Sequence, residues 1–122
     1  MKQLIICLYL SLLTPIAFAA PKPIQHVVFC WLAEDHSPAD VEAVKAGFAA
    51  FSSIPQIANM VIGAPLPSER DIVDDSFHVG VVMEFNKAED LEAFMVDETH
   101  KKITTEVLAP LCPRAVVYDI IE

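Results

Sequence analysis

The stretch QHVVFCWL, residues 25–32, decides the fold of this chain. It is rich in β-branched and aromatic residues, and it is apolar on both faces of a strand. One face carries His26, Val28, Cys30 and Leu32, and the other carries Val27, Phe29 and Trp31. Because a strand with two apolar faces must be covered on both sides, this run predicts a central strand of a sheet that has something packed on each face.

A helix follows this first strand after a short polar turn. Ser37 suits the N-cap, Pro38 suits the first helical position, and Asp40 suits the positive N-terminal end of a helix. The apolar residues that recur at helical spacing are Val41, Val44, Phe48 and Phe51. The pattern therefore predicts an amphipathic helix that ends in the segment 52–55.

A second helical region is predicted between residues 86 and 109. Its start, Asn86-Lys87-Ala88-Glu89, resembles a capping box. Asp97 can cap a further helical stretch from Glu98 to about Ala109, which Pro110 ends. On this stretch His100 shares a face with Ile103 and Val107, so its side chain is expected to point inward.

Three more strands complete the predicted fold. They are the segments Ile57–Gly63, Phe77–Phe85 and Arg114–Ile121, and the charged segment 64–75 is expected to be a solvated loop. The order β-α-β-β-α-β is that of a ferredoxin-like α+β fold, with an antiparallel sheet of strand order 4-1-3-2. Two helices can cover only one face of such a sheet. The second apolar face therefore predicts a homodimer, in which two sheets pack face to face as an α/β barrel.

The N-terminal segment has the layout of a secretory signal peptide. It has a lone Lys2, an apolar run from Leu4 to Leu13, and small residues at its end, so cleavage is expected after Ala19. An uncleaved anchor is the alternative, although the apolar run is short against the ~20 residues that a spanning helix needs. We therefore predict an exported protein, periplasmic or secreted, with residues 1–19 as the signal and residues 20–122 as one domain.

The charge of the chain restricts its partners. The formal net charge at pH 7 is −9. A surface of this sign repels phosphate groups, which argues against nucleic acid as a partner and, after removal of the signal, against anionic membranes.

Two cysteines remain beyond the signal segment, Cys30 and Cys112. The first lies near the end of strand one and the second just before strand four, and these strands are neighbours in the predicted sheet. Export makes a disulfide feasible, so a bond between them is predicted. The alternative is that Cys30 is a buried thiol packed as an apolar residue.

Four short motifs in order resemble the stress-responsive A/B barrel (Dabb) family. They are HVVF at residues 26–29, FHV at 77–79, DETH at 97–100, and the closing run LAPLCPRAVVYD at 108–119. The resemblance implies a dimeric ferredoxin-like barrel. It also implies that His26, His78 and His100 line a cleft between the sheet and the helices, as in the plant polyketide cyclases of this family. A tyrosine that partners the helix histidine in those cyclases corresponds to Phe94 here, so the resemblance does not extend to that phenol.

The three histidines are the candidate catalytic residues because their side chains titrate near neutral pH. His100 would act as the base, and His26 or His78 would polarise or position a small apolar, carbonyl-bearing substrate. The alternatives are histidines that merely fill the core or surface, and a non-catalytic stress-response or ligand-binding homodimer. No cofactor is indicated, and no spacing is diagnostic of a metal site. Whether the protein is an enzyme stays open at this level.

Overall fold

The computed structural model describes residues 14–122 of the chain; residues 1–13, most of the predicted signal peptide, lie outside the described part. The elements in chain order are β1 (Ile24–Trp31), α1 (Pro38–Ala50), a 3₁₀ turn (Phe51–Ser53), β2 (Ile57–Gly63), β3 (Val79–Phe85), α2 (Ala88–Val96), α3 (Glu98–Ile103), a π-helical turn (Thr104–Leu108), α4 (Ala109–Leu111) and β4 (Arg114–Ile121). Within residues 14–122, none of the helices has the length and apolar character needed to cross a membrane.

The four strands form one antiparallel sheet in the order β2-β3-β1-β4. This is the predicted ferredoxin-like order, and β1 occupies the central position expected of it. Burial along β1 alternates at every residue, because the helices cover only one of its two faces. The inner face, with His26, Val28 and Cys30, is buried, whereas Val27 and Phe29 on the outer face are only partly buried. The predicted assignment of side chains to faces is therefore confirmed.

The helix caps follow the sequence signals in two cases and differ in a third. Ser37 and Asp40 form a capping box at the start of α1, and Asp97 accepts hydrogen bonds from the backbone of the first turn of α3, as predicted. The predicted capping box at the start of α2 is wrong. The N-cap is Lys87 rather than Asn86, which places the Asn86 side chain one residue too early to reach the free N–H groups of the first turn.

The second helical region is more broken than predicted. The stretch expected to be one helix from Glu98 to Ala109 consists of α3, the π-helical turn and α4. A π-turn holds an additional residue and widens the helix locally. The third strand is shorter than predicted and begins at Val79, so His78 precedes the strand instead of lying within it.

The core lies between the helices and the inner face of the sheet. Large side chains that are almost fully buried there include Phe51, Phe85 and Phe94. Cys30 and Cys112 are joined by a disulfide bond with their Cα atoms 5.6 Å apart, which confirms that prediction. The bond connects β1 to the residue that follows α4.

The outer face of the sheet carries an aromatic group that the helices leave uncovered. Four aromatic residues form this group: Phe29, Trp31, Phe77 and Tyr118. Their rings form four contacting pairs, with centroids 4.8 to 6.5 Å apart. The guanidinium of Arg114 lies 4.0 Å from the centroid of the Trp31 ring, which is a cation–π contact. Strand β4 is exposed on both faces, because the helices do not extend over it.

Candidate functional site

A cavity of about 540 Å³ lies between the inner face of the sheet and the helical segments. Its lining is mostly apolar and aromatic, with four side chains that can form hydrogen bonds. These four are His26, His100, Thr104 and Asp119. A mostly apolar cavity with a few converging polar groups is the usual architecture of a small-molecule site.

His26 reaches the cavity from the centre of β1 and pairs with Asp119 of β4. The two residues are directly opposite in the antiparallel register, so their side chains share the inner face. Nδ1 of His26 lies 2.5 Å from Oδ1 of Asp119. Because a carboxylate only accepts hydrogen bonds, the Nδ1–H donates, and the neutral ring keeps its lone pair on Nε2. Asp119 therefore sets the tautomer of His26.

His100 reaches the cavity from the first turn of α3. Its own backbone N–H donates to Asp97, so the cap that starts this helix also places the histidine. Burial lowers the pKa of His100, while the nearby Met95 carbonyl acts in the opposite direction. Its Nδ1 is buried and has no hydrogen-bond partner among residues 14–122. The lowered pKa favours the neutral form of the imidazole, because burial penalises the charged ring.

Phe94 lies between the two histidines. Its ring centroid is 4.3 Å from that of His100 and 6.0 Å from that of His26, and its side chain is fully buried. The resemblance to the plant cyclases implies a tyrosine at this position. At Phe94 the site therefore has an apolar ring, which orients the two imidazoles but supplies no proton.

His78, the third predicted site residue, does not line this cavity. Its Nδ1 accepts a hydrogen bond from the backbone N–H of Leu32 at 2.9 Å, and its ring packs against that of His36 with 4.4 Å between centroids. Desolvation, assisted by the charge of His36, lowers the pKa of His78. The structure thus brings His26 and His100 together and places His78 at the end of β1.

Two polar residues of the cavity were missed by sequence reasoning, Asp119 and Thr104. The signal for Asp119 was present, because an antiparallel pairing of strands one and four places a carboxylate near His26 once the register is known. Thr104 gave no comparable signal, since the π-turn that begins there is not encoded in a pattern we recognise.

The polar groups of the cavity are suited to proton transfer more than to metal binding. Across residues 14–122, no group of three or more His, Cys, Asp or Glu side chains is placed to hold a metal ion. Two imidazoles and one carboxylate in an apolar setting can accept, hold and return a proton.

Comparison with solved structures shows the same fold in several proteins. A hydroxynitrile lyase from Passiflora edulis superposes with a TM-score of 0.72 at 20% identity, over 84% of this chain and 94% of that chain. A Dabb family protein with a ferredoxin-like fold from Mesorhizobium loti gives 0.67 at 17% identity, over 83% and 97%. A dimeric ferredoxin-like protein of unknown function from Thermobifida fusca gives 0.65 at 18% identity, over 84% and 92%.

Identities this low show the shared fold and do not transfer an activity. No curated protein matches the chain in sequence. The sequence model of one family, described as the stress responsive A/B barrel domain, matches residues 24–122. The match spans β1 to β4 and includes His26, His78 and His100. The chain therefore belongs to the stress responsive A/B barrel (Dabb) family.

Proposed function

We propose that this protein binds a small apolar, carbonyl-bearing molecule in the cavity and transfers a proton with His100 as the base. The observation that carries the proposal is the neutral, half-buried His100 facing the same apolar cavity as the His26–Asp119 pair. A base is effective when it is unprotonated at working pH and when water is largely excluded from it.

His26 supplies the second group in this proposal. Asp119 holds the proton on Nδ1, which leaves Nε2 as the nitrogen able to interact with a ligand. The negative charge of Asp119 also stabilises a protonated His26 whenever one forms. His26 can then receive a proton or position an oxygen, while His100 abstracts a proton from carbon or oxygen. The predicted role of His78 forms no part of this scheme, and it stays a prediction.

The hydroxynitrile lyase among the structural neighbours supports this class of chemistry. Hydroxynitriles are adducts of carbonyl compounds, and proton transfer at oxygen is inherent in forming or cleaving them. We take from this neighbour only the chemical class, a neutral carbonyl compound or its hydroxy adduct.

Hydrogen–deuterium exchange of acetophenone tests the proposal. Abstraction of a methyl proton next to the carbonyl gives an enolate, which takes deuterium back from D₂O, so proton NMR follows the loss of the methyl signal. We expect the wild-type protein to accelerate exchange, and we expect His100→Ala to lose about 100-fold or more of the acceleration, within the usual range for general base catalysis. His36→Ala is the matched control, because His36 lies outside the cavity, and it should exchange at the wild-type rate.

A non-catalytic binding protein is the second candidate, and Phe94 is the observation that favours it. With a phenyl ring where the cyclases have a phenol, the site has one proton donor fewer. Binding of acetophenone without any acceleration of exchange by the wild type would establish this candidate and rule out the catalytic one.

We further propose that the protein is exported and works as a homodimer. Export rests on the signal-like sequence of residues 1–19, and mass spectrometry of the N-terminus after expression with its leader tests it. Dimerisation rests on the uncovered aromatic outer face and on solved structures of the same fold that are described as dimeric. Face-to-face packing would cover the outer face and leave each cavity on the opposite side of its sheet.

A further inference from the structure

The π-helical turn affects which side chains between α3 and α4 face the cavity. In a regular α-helix, residues four apart drift sideways by about 40° per step, because a turn takes 3.6 residues. The π-turn takes more residues to close, and the N–H of Ala109 donates to the carbonyl of Thr104 five residues earlier. Between Thr104 and Leu108 this wider turn offsets the drift of the preceding α-helical step from His100 to Thr104. His100, Thr104 and Leu108 therefore all line the cavity.

Thr104 lines this cavity and carries a hydroxyl group. It is half-buried and is the one hydroxyl-bearing side chain among the lining residues. A threonine within a helix often donates to the carbonyl one turn earlier. Among residues 14–122, the Thr104 hydroxyl makes no such bond, and the side-chain hydrogen bonds of this region belong to Asp97 and Lys101. The hydroxyl is therefore available to a ligand, one helical turn from His100.

The electrostatic character of the lining narrows the ligand class. The described lining includes one carboxylate, Asp119, and neither lysine nor arginine. An anionic ligand would lose its hydration in an apolar cavity without gaining a counter-charge. A neutral ligand with a hydroxyl or carbonyl oxygen loses little hydration free energy on entering the cavity, and its oxygen can be hydrogen-bonded there.

We infer that Thr104 binds the oxygen of the ligand beside His100, and that the cleft selects neutral oxygen-bearing molecules over anionic ones. This inference rests on the ligand cleft of the proposed function, to which it adds a binding residue and a charge preference. Thr104 can donate to a carbonyl oxygen or accept from a hydroxyl group, so it serves a carbonyl compound and its hydroxy adduct equally well.

Three small probes separate shape, oxygen and charge. Acetophenone has a ring and a carbonyl oxygen, ethylbenzene has a similar shape without oxygen, and benzoate has a ring and a negative charge. Each probe is titrated into the protein, and its dissociation constant is taken from the amide chemical shifts of residues that line the cavity.

Three variants isolate the hydroxyl group. Thr104→Val removes it and keeps the branched shape, Thr104→Ser keeps it, and Thr104→Ala removes it with a smaller side chain. Thr105→Val is the matched control, because Thr105 lies in the same π-turn but is exposed and does not line the cavity. Denaturation curves show whether each variant is folded.

We expect Thr104→Val and Thr104→Ala to weaken acetophenone binding about three- to ten-fold, the range that one hydrogen bond gives. Ethylbenzene should change by less than about two-fold, and Thr104→Ser and Thr105→Val should bind like the wild type. Wild-type protein should bind benzoate at least about ten-fold more weakly than acetophenone.

Equal changes for acetophenone and ethylbenzene in Thr104→Val, or no change in either, would overturn the assignment of Thr104 while leaving the proposed cleft intact. Tighter binding of benzoate than of acetophenone would overturn the charge preference. Absence of saturable shifts at the cavity with every probe would instead refute the ligand cleft itself, which is the failure of the proposed function.

Discussion

His26 and Asp119 lie directly opposite each other on antiparallel strands, and Nδ1 of one is 2.5 Å from Oδ1 of the other. Neither strand alone contains a site. The pair exists because β4 returns beside β1 in this register, and a shift of one residue would turn Asp119 to the outer face. The side chain of Asp119 is half-exposed, while that of His26 is almost fully buried. The hydrogen-bonded pair therefore connects a buried imidazole to solvent.

Replacing Asp119 tests the control of the His26 tautomer. In Asp119→Ala, Nδ1 loses its acceptor, so we expect the proton to redistribute toward Nε2 and acetophenone exchange to slow by about ten-fold or more. Nitrogen-15 NMR of the imidazole measures the tautomer without reference to activity. Asp35→Ala, at an exposed turn, is the control and should leave both readouts unchanged. A His26 spectrum that is identical in wild type and Asp119→Ala would refute the role of this pair.

Acid should destabilise the fold through His78 and His100, whose pKa values are both lowered mainly by burial. The unfolded chain binds protons at these residues near the ordinary value of about 6.5, while the folded chain binds them only at lower pH. Stability is therefore fully present above about pH 6.5 and falls as the pH drops below it. Urea unfolding at a series of pH values measures this slope.

Two single variants separate the contributions of His78 and His100 to the pH dependence of stability. His78→Ala and His100→Ala should each have a shallower slope below pH 6.5 than the wild type, because each removes one group that gains protons on unfolding. The expected origin differs, since His78 also loses its hydrogen bond from Leu32 on protonation. A slope unchanged in both variants would assign the acid sensitivity to other groups.

Loss of the Cys30–Cys112 bond should destabilise the protein by about 2–4 kcal/mol, the usual range for a disulfide that closes a long loop. Cys30 and Cys112 are 82 positions apart in the sequence, so the bond closes a long loop. Urea midpoints of the oxidised wild type, the reduced wild type and the double variant Cys30→Ala/Cys112→Ala measure the effect. The latter two should agree with each other. If all three midpoints coincide, the bond makes no contribution to stability.

Substitutions on neighbouring residues of β4 should separate dimerisation from the cavity. Tyr118 lies on the outer face and is 58% exposed, so Tyr118→Asp should fold but place a charge in the proposed interface. We expect light scattering to give a monomer for Tyr118→Asp and a dimer for the wild type, whose interface should exceed about 1,200 Å².

Val117→Asp is the control for that experiment. Val117 points to the cavity side of the same strand and is similarly exposed, so this variant should remain dimeric while its ligand binding weakens. A dimeric Tyr118→Asp protein together with a monomeric Val117→Asp protein would show that the interface lies on the cavity side of the sheet, which would contradict our proposal.

The sequence predicted the fold well because the deciding signals are local. Each of three elements is predicted from its own residues alone: β1 from its alternation, α1 from the Ser37 cap and α3 from the Asp97 cap. The disulfide was predicted from the strand order together with the signal-like N-terminal segment. The element boundaries were less well defined, as the start of β3 and the cap of α2 show, because neighbouring residues compete for those positions on small energy differences.

The site was predicted only in part, because it depends on distant pairings. His26 and His100 were identified, but the cavity also contains Asp119, whose contribution requires the exact register of two strands that are remote in sequence. His78 was expected in the cleft because the family resemblance implied it; in the structure it precedes β3 and accepts a hydrogen bond from the backbone of Leu32. The π-turn that begins at Thr104 was not predicted from any short motif.

The alternation of β1 lets two surfaces evolve separately on one short segment. A substitution at Val28 reshapes the cavity and leaves the outer face unchanged, whereas a substitution at Val27 does the reverse. Insertion or deletion of a single residue would exchange the two sets of side chains and damage both surfaces at once. Point substitutions on one face can therefore change ligand range without changing the other face, whereas a change in strand length would alter both.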